Sequence, residues 1–178
     1  MGSDAASGIV AKAASASMRE AKEVGSKTAE DAVDAARKAI PGPAGKLPLQ
    51  RPHPRHNLDS IRAKSYTKEK NTVVLPGTDV GRDVEDIAAG RAVWDPNRNL
   101  YEVNGRTYGV ESSGTVYPVA GPGLEQLSRG EYKALKEYIA AGGDLDLANQ
   151  KMARNTSISE EAKVRALEVF RHHKSFRG

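Results

Sequence analysis

The chain has 178 residues, with 27 Lys and Arg against 23 Asp and Glu for a formal charge of +4, and it contains no cysteine. A disulfide framework, a thiol nucleophile and a Cys-ligated zinc are therefore excluded. No apolar run approaches the ~18–20 residues of a spanning helix, so a helical membrane protein is excluded as well. Length allows one domain with an appendage, or two small units.

The charge is unevenly distributed. Residues 1–40 are neutral, and 41–75 carry seven basic side chains (Lys46, Arg51, Arg55, Arg62, Lys64, Lys68, Lys70) against Asp59 and Glu69. Residues 76–125 sum to −4 and 126–178 to +3. A basic stretch beside an acidic one suits a polyanion ligand, and it equally suits internal neutralisation within the fold.

In chain order, residues 1–40 are rich in Ala, Ser, Lys and Glu and predict two helices, over 7–24 and 28–40, separated at Gly25. Their large apolar side chains are few, so this segment reads as an arm or stalk. Five prolines in 41–56 (Pro41, Pro43, Pro48, Pro52, Pro54) predict an extended linker. A third segment, 57–178, is expected to be the α+β domain. Thr72-Val73-Val74-Leu75 reads as a short buried strand, and Val80, Val84, Ile87 and Ala88 have helical spacing. An antiparallel meander of three or four strands follows, over 92–94, 100–103, 106–111 and 115–119. Its turns are expected at Asp95-Pro96-Asn97, at Asn104-Gly105 and at Ser112-Ser113-Gly114.

A two-residue loop at Asn104-Gly105 places Tyr101, Val103, Arg106, Tyr108 and Val110 on one face and Glu102, Thr107 and Glu111 on the other. The next loop has two or three residues; the longer one, with a bulge at Gly114, sets Pro118 opposite Tyr108. Beyond Gly121-Pro122-Gly123 an amphipathic helix is expected from Leu124 to Ile139, broken near Ser128-Arg129-Gly130. Two further helices are expected, over 145–153 and from Ser159 onward. The fold class is thus α+β: a helical arm, a Pro-rich linker, and a small antiparallel sheet packed with C-terminal helices.

Metal-independent cleavage of RNA needs a base for the 2′-hydroxyl, an acid for the leaving oxygen and cations for the phosphate. His53 and His56 supply titratable groups at the start of the basic stretch. Arg55, Lys64, Tyr66, Lys68 and Lys70 are the expected nucleic-acid contacts. Arg106, Tyr108 and Glu111 on the meander are further catalytic candidates, although Tyr108 and Glu111 point to opposite faces. Each has a plainer reading: histidines near prolines are often merely solvated, and inward tyrosines are often core. His53 and His56 lack a third ligand, and no metal or other cofactor is expected. No phosphate-binding glycine motif occurs, Gly121-Pro122-Gly123 reads as a structural turn, and Arg171-His172-His173-Lys174 suits a helix C-terminus.

The run Val103-Asn104-Gly105-Arg106-Thr107-Tyr108-Gly109-Val110-Glu111, with Gly114-Thr115-Val116-Tyr117-Pro118-Val119-Ala120-Gly121-Pro122-Gly123 and Leu127-Ser128-Arg129-Gly130-Glu131-Tyr132, resembles a segment at the C-terminal ends of bacterial polymorphic toxins. The resemblance covers roughly 72–141. It implies a variable effector domain, secreted or delivered into a target cell to act in its cytoplasm, and neutralised by a cognate immunity protein. Many such effectors are nucleases, often acting on tRNA. It brings no assigned catalytic residues to these positions. The expected function is therefore an RNA-cleaving toxin domain, with RNA as substrate, an acidic immunity protein as partner and no insertion into membranes. The alternatives are a non-enzymatic interaction module, and an NAD-using ADP-ribosyltransferase, whose Glu-x-Glu pair is missing around Glu111.

Overall fold

The computed structural model describes residues 28–178, and the helix expected over 7–24 lies outside them. Residues 28–38 are helical (α1). After three 3-10 turns at Pro43–Gly45, Pro54–His56 and Leu58–Ser60 come β1 (Lys70–Val74), α2 (Val80–Ala88), β2 (Val93–Asp95), β3 (Leu100–Val103), β4 (Arg106–Val110), β5 (Val116–Ala120) and β6 (Leu124–Ser128). Three helices end the chain: α3 (Arg129–Ala140), α4 (Leu145–Met152) and α5 (Glu160–Phe170). This is an α+β protein. The strands form a ribbon of β1 with β6 and a four-stranded sheet in the order β2-β3-β4-β5. Among the described residues no helix is long and apolar enough to cross a membrane.

The described residues divide into two compact units, one of 28–51, 80–104 and 108–116, the other of 52–79, 105–107 and 117–178. In the first, Val80, Val84 and Ile87 of α2 are buried, as are Tyr101, Val103, Tyr108 and Val116 of the sheet. The start of the Pro-rich stretch, expected to be extended, is folded here. Its 3-10 turn buries Ala44 and Gly45. The Tyr101 hydroxyl donates to the Pro41 carbonyl at 2.7 Å and accepts from the Ala44 N–H at 2.9 Å, so one phenol satisfies two backbone groups of the turn.

Both hairpin loops follow from their residues. Asn104 (φ 52°) and Gly105 (φ 79°) take the paired positive-φ conformation that a two-residue loop demands. In the next loop the Glu111 N–H donates to Thr115 O and the Gly114 N–H to Glu111 O, both at 2.9 Å, with Gly114 at φ 90°. Of the two loops the sequence left open, the three-residue bulged one is adopted. Val116 and Pro118 are accordingly buried, with Tyr117 half-buried between them.

The second unit is built on the β1–β6 ribbon, whose register sets Val74 opposite Leu124 and Asn71 opposite Leu127. Residues 124–128, expected to begin a helix, are a strand instead. Leu124 and Leu127 fit either period, and what decides between them is the row of β1 backbone groups that β6 satisfies. The helix starts one residue later on a capping box. Ser128 Oγ accepts from the Glu131 N–H at 3.2 Å, and Glu131 Oε1 accepts from the Ser128 N–H at 2.7 Å. The core contains Leu58, Val73, Leu127, Tyr132, Leu135, Tyr138, Met152, Val169 and Phe170. Fully burying each large apolar side chain contributes about 1.5–3 kcal/mol.

Candidate nucleic-acid interface

In the second unit the basic stretch folds around one side chain. Pro54 opens a 3-10 turn capped by His53, whose Nδ1 accepts the Arg55 N–H at 3.1 Å. The turn directs Arg55 and His56 inward, where they are 5% and 9% exposed. Asn57 caps the following turn by accepting the Asp59 N–H.

Arg55 is held on every side. Its Nε donates to the Tyr66 carbonyl at 2.8 Å, Nη1 to His56 Nε2 at 3.2 Å and Nη2 to Asn71 Oδ1, while the guanidinium carbon lies 5.2 Å from the Tyr132 ring centroid. The Tyr132 hydroxyl donates back to the Arg55 carbonyl at 2.6 Å. No carboxylate among the described residues pairs with this guanidinium, so a nearly buried positive charge is balanced by carbonyl, amide, imidazole and ring dipoles alone. Lys136, one helical turn beyond Tyr132, lies 5.7 Å from the same ring and donates to the Ser65 carbonyl at 2.9 Å. Burial lowers its pKa, and Lys133 and Arg55 add to the effect against the opposing Glu137.

His56 donates from Nδ1 to the Thr72 carbonyl at 2.8 Å, so Nε2 carries the lone pair that Arg55 meets. Burial pushes its pKa down to about 4; the Thr72 carbonyl opposes the shift, and the charges of Arg55, Lys68 and His53 add to it. The imidazole is neutral at pH 7 with both nitrogens engaged. His53, by contrast, is exposed. The expected nucleic-acid contacts Lys64, Tyr66, Lys68 and Lys70 are exposed in this unit, and the catalytic candidate Arg106 is half-buried here, donating from Nη1 to the Pro122 carbonyl at 3.3 Å.

Tyr108 and Glu111 belong to the first unit. Tyr108 is fully buried and its hydroxyl donates to Asp83 Oδ2; Glu111 is exposed beside its hairpin loop. Asn104 Nδ2 bridges Asp83 Oδ1 at 2.7 Å and Asp86 Oδ2 at 2.9 Å, and Arg91 grips Asp86 with Nη2 at 2.7 Å and Nε at 2.9 Å. Burial alone would raise the Asp86 pKa, but the bonds from Asn104 and Arg91 outweigh it and the net shift is downward.

The second unit thus holds His53, Arg55, His56, Lys64, Tyr66, Lys68, Lys70 and Arg106, and the first holds Tyr108 and Glu111. Sequence reasoning missed Asn71, Tyr132 and Lys136. The spacing of Tyr132 and Lys136, i to i+4, is the signal that puts an aromatic and a cation on one helix face. Among the described residues no group of three or more His, Asp or Glu side chains is placed to hold a metal ion. No family model, curated protein or solved structure matches the chain.

Proposed function

We propose that the protein is a toxin effector domain of the bacterial polymorphic kind, delivered into a target cell, where it binds RNA along residues 62–70 and cleaves it by metal-independent acid–base chemistry. The observation that supports this reading is the buried Arg55 guanidinium, without a carboxylate partner, bonded at the Tyr66 carbonyl to the segment that carries exposed Lys64, Lys68 and Lys70. Such a charge raises the local potential, and phosphate oxygens are the ligands that gain from it. In cleavage the 2′-hydroxyl loses its proton to a base, its oxygen attacks phosphorus, and the 5′-oxygen leaves with a proton from an acid. His53 is the imidazole available for this shuttle. Engaging its Nδ1 as base means releasing the Arg55 N–H, a cost of about 1 kcal/mol. An acidic immunity protein covering the same basic segment would inhibit the domain.

The test is incubation of the purified chain with total RNA and with plasmid DNA, in EDTA and in added magnesium, analysed on a denaturing gel. Discrete RNA fragments in EDTA, lost in His53→Ala with the fold intact, are expected. Intact RNA under both conditions would overturn the reading. A second reading, an interaction module, is favoured by α5, where Val164 is 61% exposed among exposed Glu160, Glu161 and Glu168. It predicts tight capture of a basic protein partner by a chain that degrades no nucleic acid.

A further inference from the structure

Exposure alternates along 64–68: Lys64, Tyr66 and Lys68 are exposed, while Ser65 and Thr67 between them are half-buried. Tyr66, at 66% exposure, is the only exposed Phe, Tyr or Trp among the described residues. Burying that ring in an intramolecular core would be favourable, and the fold leaves it out. The backbone beneath it is nonetheless tightly held. Its own carbonyl accepts from Arg55 Nε at 2.8 Å, and the preceding Ser65 carbonyl accepts from Lys136 Nζ at 2.9 Å. Ser65 closes a turn onto Arg62, with Ser65 N–H to Arg62 O at 2.9 Å and Arg62 N–H to Ser65 Oγ at 2.8 Å. Beyond the ring, Asn71 clamps Lys68, accepting its N–H at 2.8 Å and donating to its carbonyl at 2.7 Å. Glu69, the one acid in the segment, is paired with Arg129 at 2.7 Å.

An outward aromatic ring on an anchored backbone, flanked at two-residue intervals by lysines, is the arrangement that receives a base with an open face and the phosphates on either side of it. We propose that residues 62–70 form a binding ledge for single-stranded RNA, in which Tyr66 stacks on one unpaired base while Lys64 and Lys68 contact the flanking phosphates. Duplex RNA keeps its bases stacked on one another and offers the ring no face, so the ledge selects loops and unpaired segments. The Arg55 cage is what makes the ledge rigid before ligand arrives, which lowers the ordering cost of binding. This inference rests on the RNA reading above and specifies its substrate class.

The test uses 2′-O-methyl oligoadenylate and oligouridylate of about ten nucleotides, a length within the usual range of single-strand sites, and a duplex of the same length. None of these can be cut through a 2′-hydroxyl. Anisotropy is expected to show the single strands bound at least about tenfold more tightly than the duplex, with Tyr66→Ala losing about tenfold and Tyr66→Phe retaining affinity. In Lys64→Ala/Lys68→Ala the slope of log K against log salt should fall by about 1.4. Equal affinity for duplex and single strand, or full affinity in Tyr66→Ala, overturns the stacking ledge while leaving RNA binding in place. Failure of every oligonucleotide to bind overturns the RNA reading itself.

Discussion

Acid unfolding gives the Arg55–His56 cluster its most direct physical test. His56 ionises near 6.5 in an unfolded chain and at about 4 in the fold, because burial and the neighbouring cations disfavour the imidazolium. Between those values the unfolded chain carries a proton that the folded one refuses. Stability from this residue is therefore fully present above about pH 6.5, declines as pH falls, and is exhausted below about pH 4. The gap corresponds to about 3 kcal/mol. His173, whose pKa is lowered by burial against the pull of Asp59, contributes in the same direction. Carboxylates such as Asp86 also destabilise the fold in acid, so the His56 contribution has to be isolated against a variant that cannot titrate. His56→Gln keeps an amide donor and acceptor in place of the ring. Urea unfolding of both proteins at about pH 7.5 and about pH 4.5 should show the wild type losing about 2.5 kcal/mol more than the variant. Parallel losses in the two proteins, or a His56 ring resonance titrating near its ordinary value, would refute the assignment of a buried, neutral imidazole.

Arg55→Met removes three hydrogen bonds from a charged donor and leaves the buried Asn71 amide oxygen with the Lys68 N–H as its remaining donor, so thermal or urea melts should report a loss of about 3 kcal/mol; a change within about 0.5 kcal/mol would mean that water replaces the guanidinium. Tyr108→Phe leaves the buried Asp83 carboxylate without its phenol donor, at a cost of about 2 kcal/mol. Because the ring is enclosed, the RNA cleavage proposed above should stay at the wild-type level per folded molecule, and its loss would return Tyr108 to the catalytic candidates. Asn104→Asp swaps the amide that bridges Asp83 and Asp86 for a third carboxyl. Its melting temperature should fall at pH 7 and recover partly in mild acid as that carboxyl protonates, whereas a pH-independent effect would show that the bridge is not electrostatic.

The chain-local features were legible in the residues. Asn104-Gly105 fixes a two-residue hairpin because few other pairs tolerate positive φ twice, and the alternation of Tyr101, Val103 and Tyr108 against Glu102 and Glu111 sorts the sheet faces. The α+β class, α2, α4 and the start of α5 at its Ser159 cap followed from spacing and capping chemistry alone. One local signal was present and misread. Ser128-Arg129-Gly130-Glu131 is a capping box, yet Gly130 made it look like a break inside a helix.

The non-local features were not legible. Leu124 to Ser128 suits a helix or a strand, and only the unpaired edge of β1, fifty or more residues away, selects the strand. The sequence alone determined that a basic segment with two histidines and a tyrosine runs from the end of the Pro-rich stretch. Tertiary structure decided which of those groups face water: Asn71, Thr72 and Tyr132 draw Arg55 and His56 inside, leaving His53, Tyr66 and the lysines outside. The physical reason is that a guanidinium can be buried only where several fixed acceptors converge. That convergence depends on β1 and α3 meeting in space, which no spacing within 51–70 encodes.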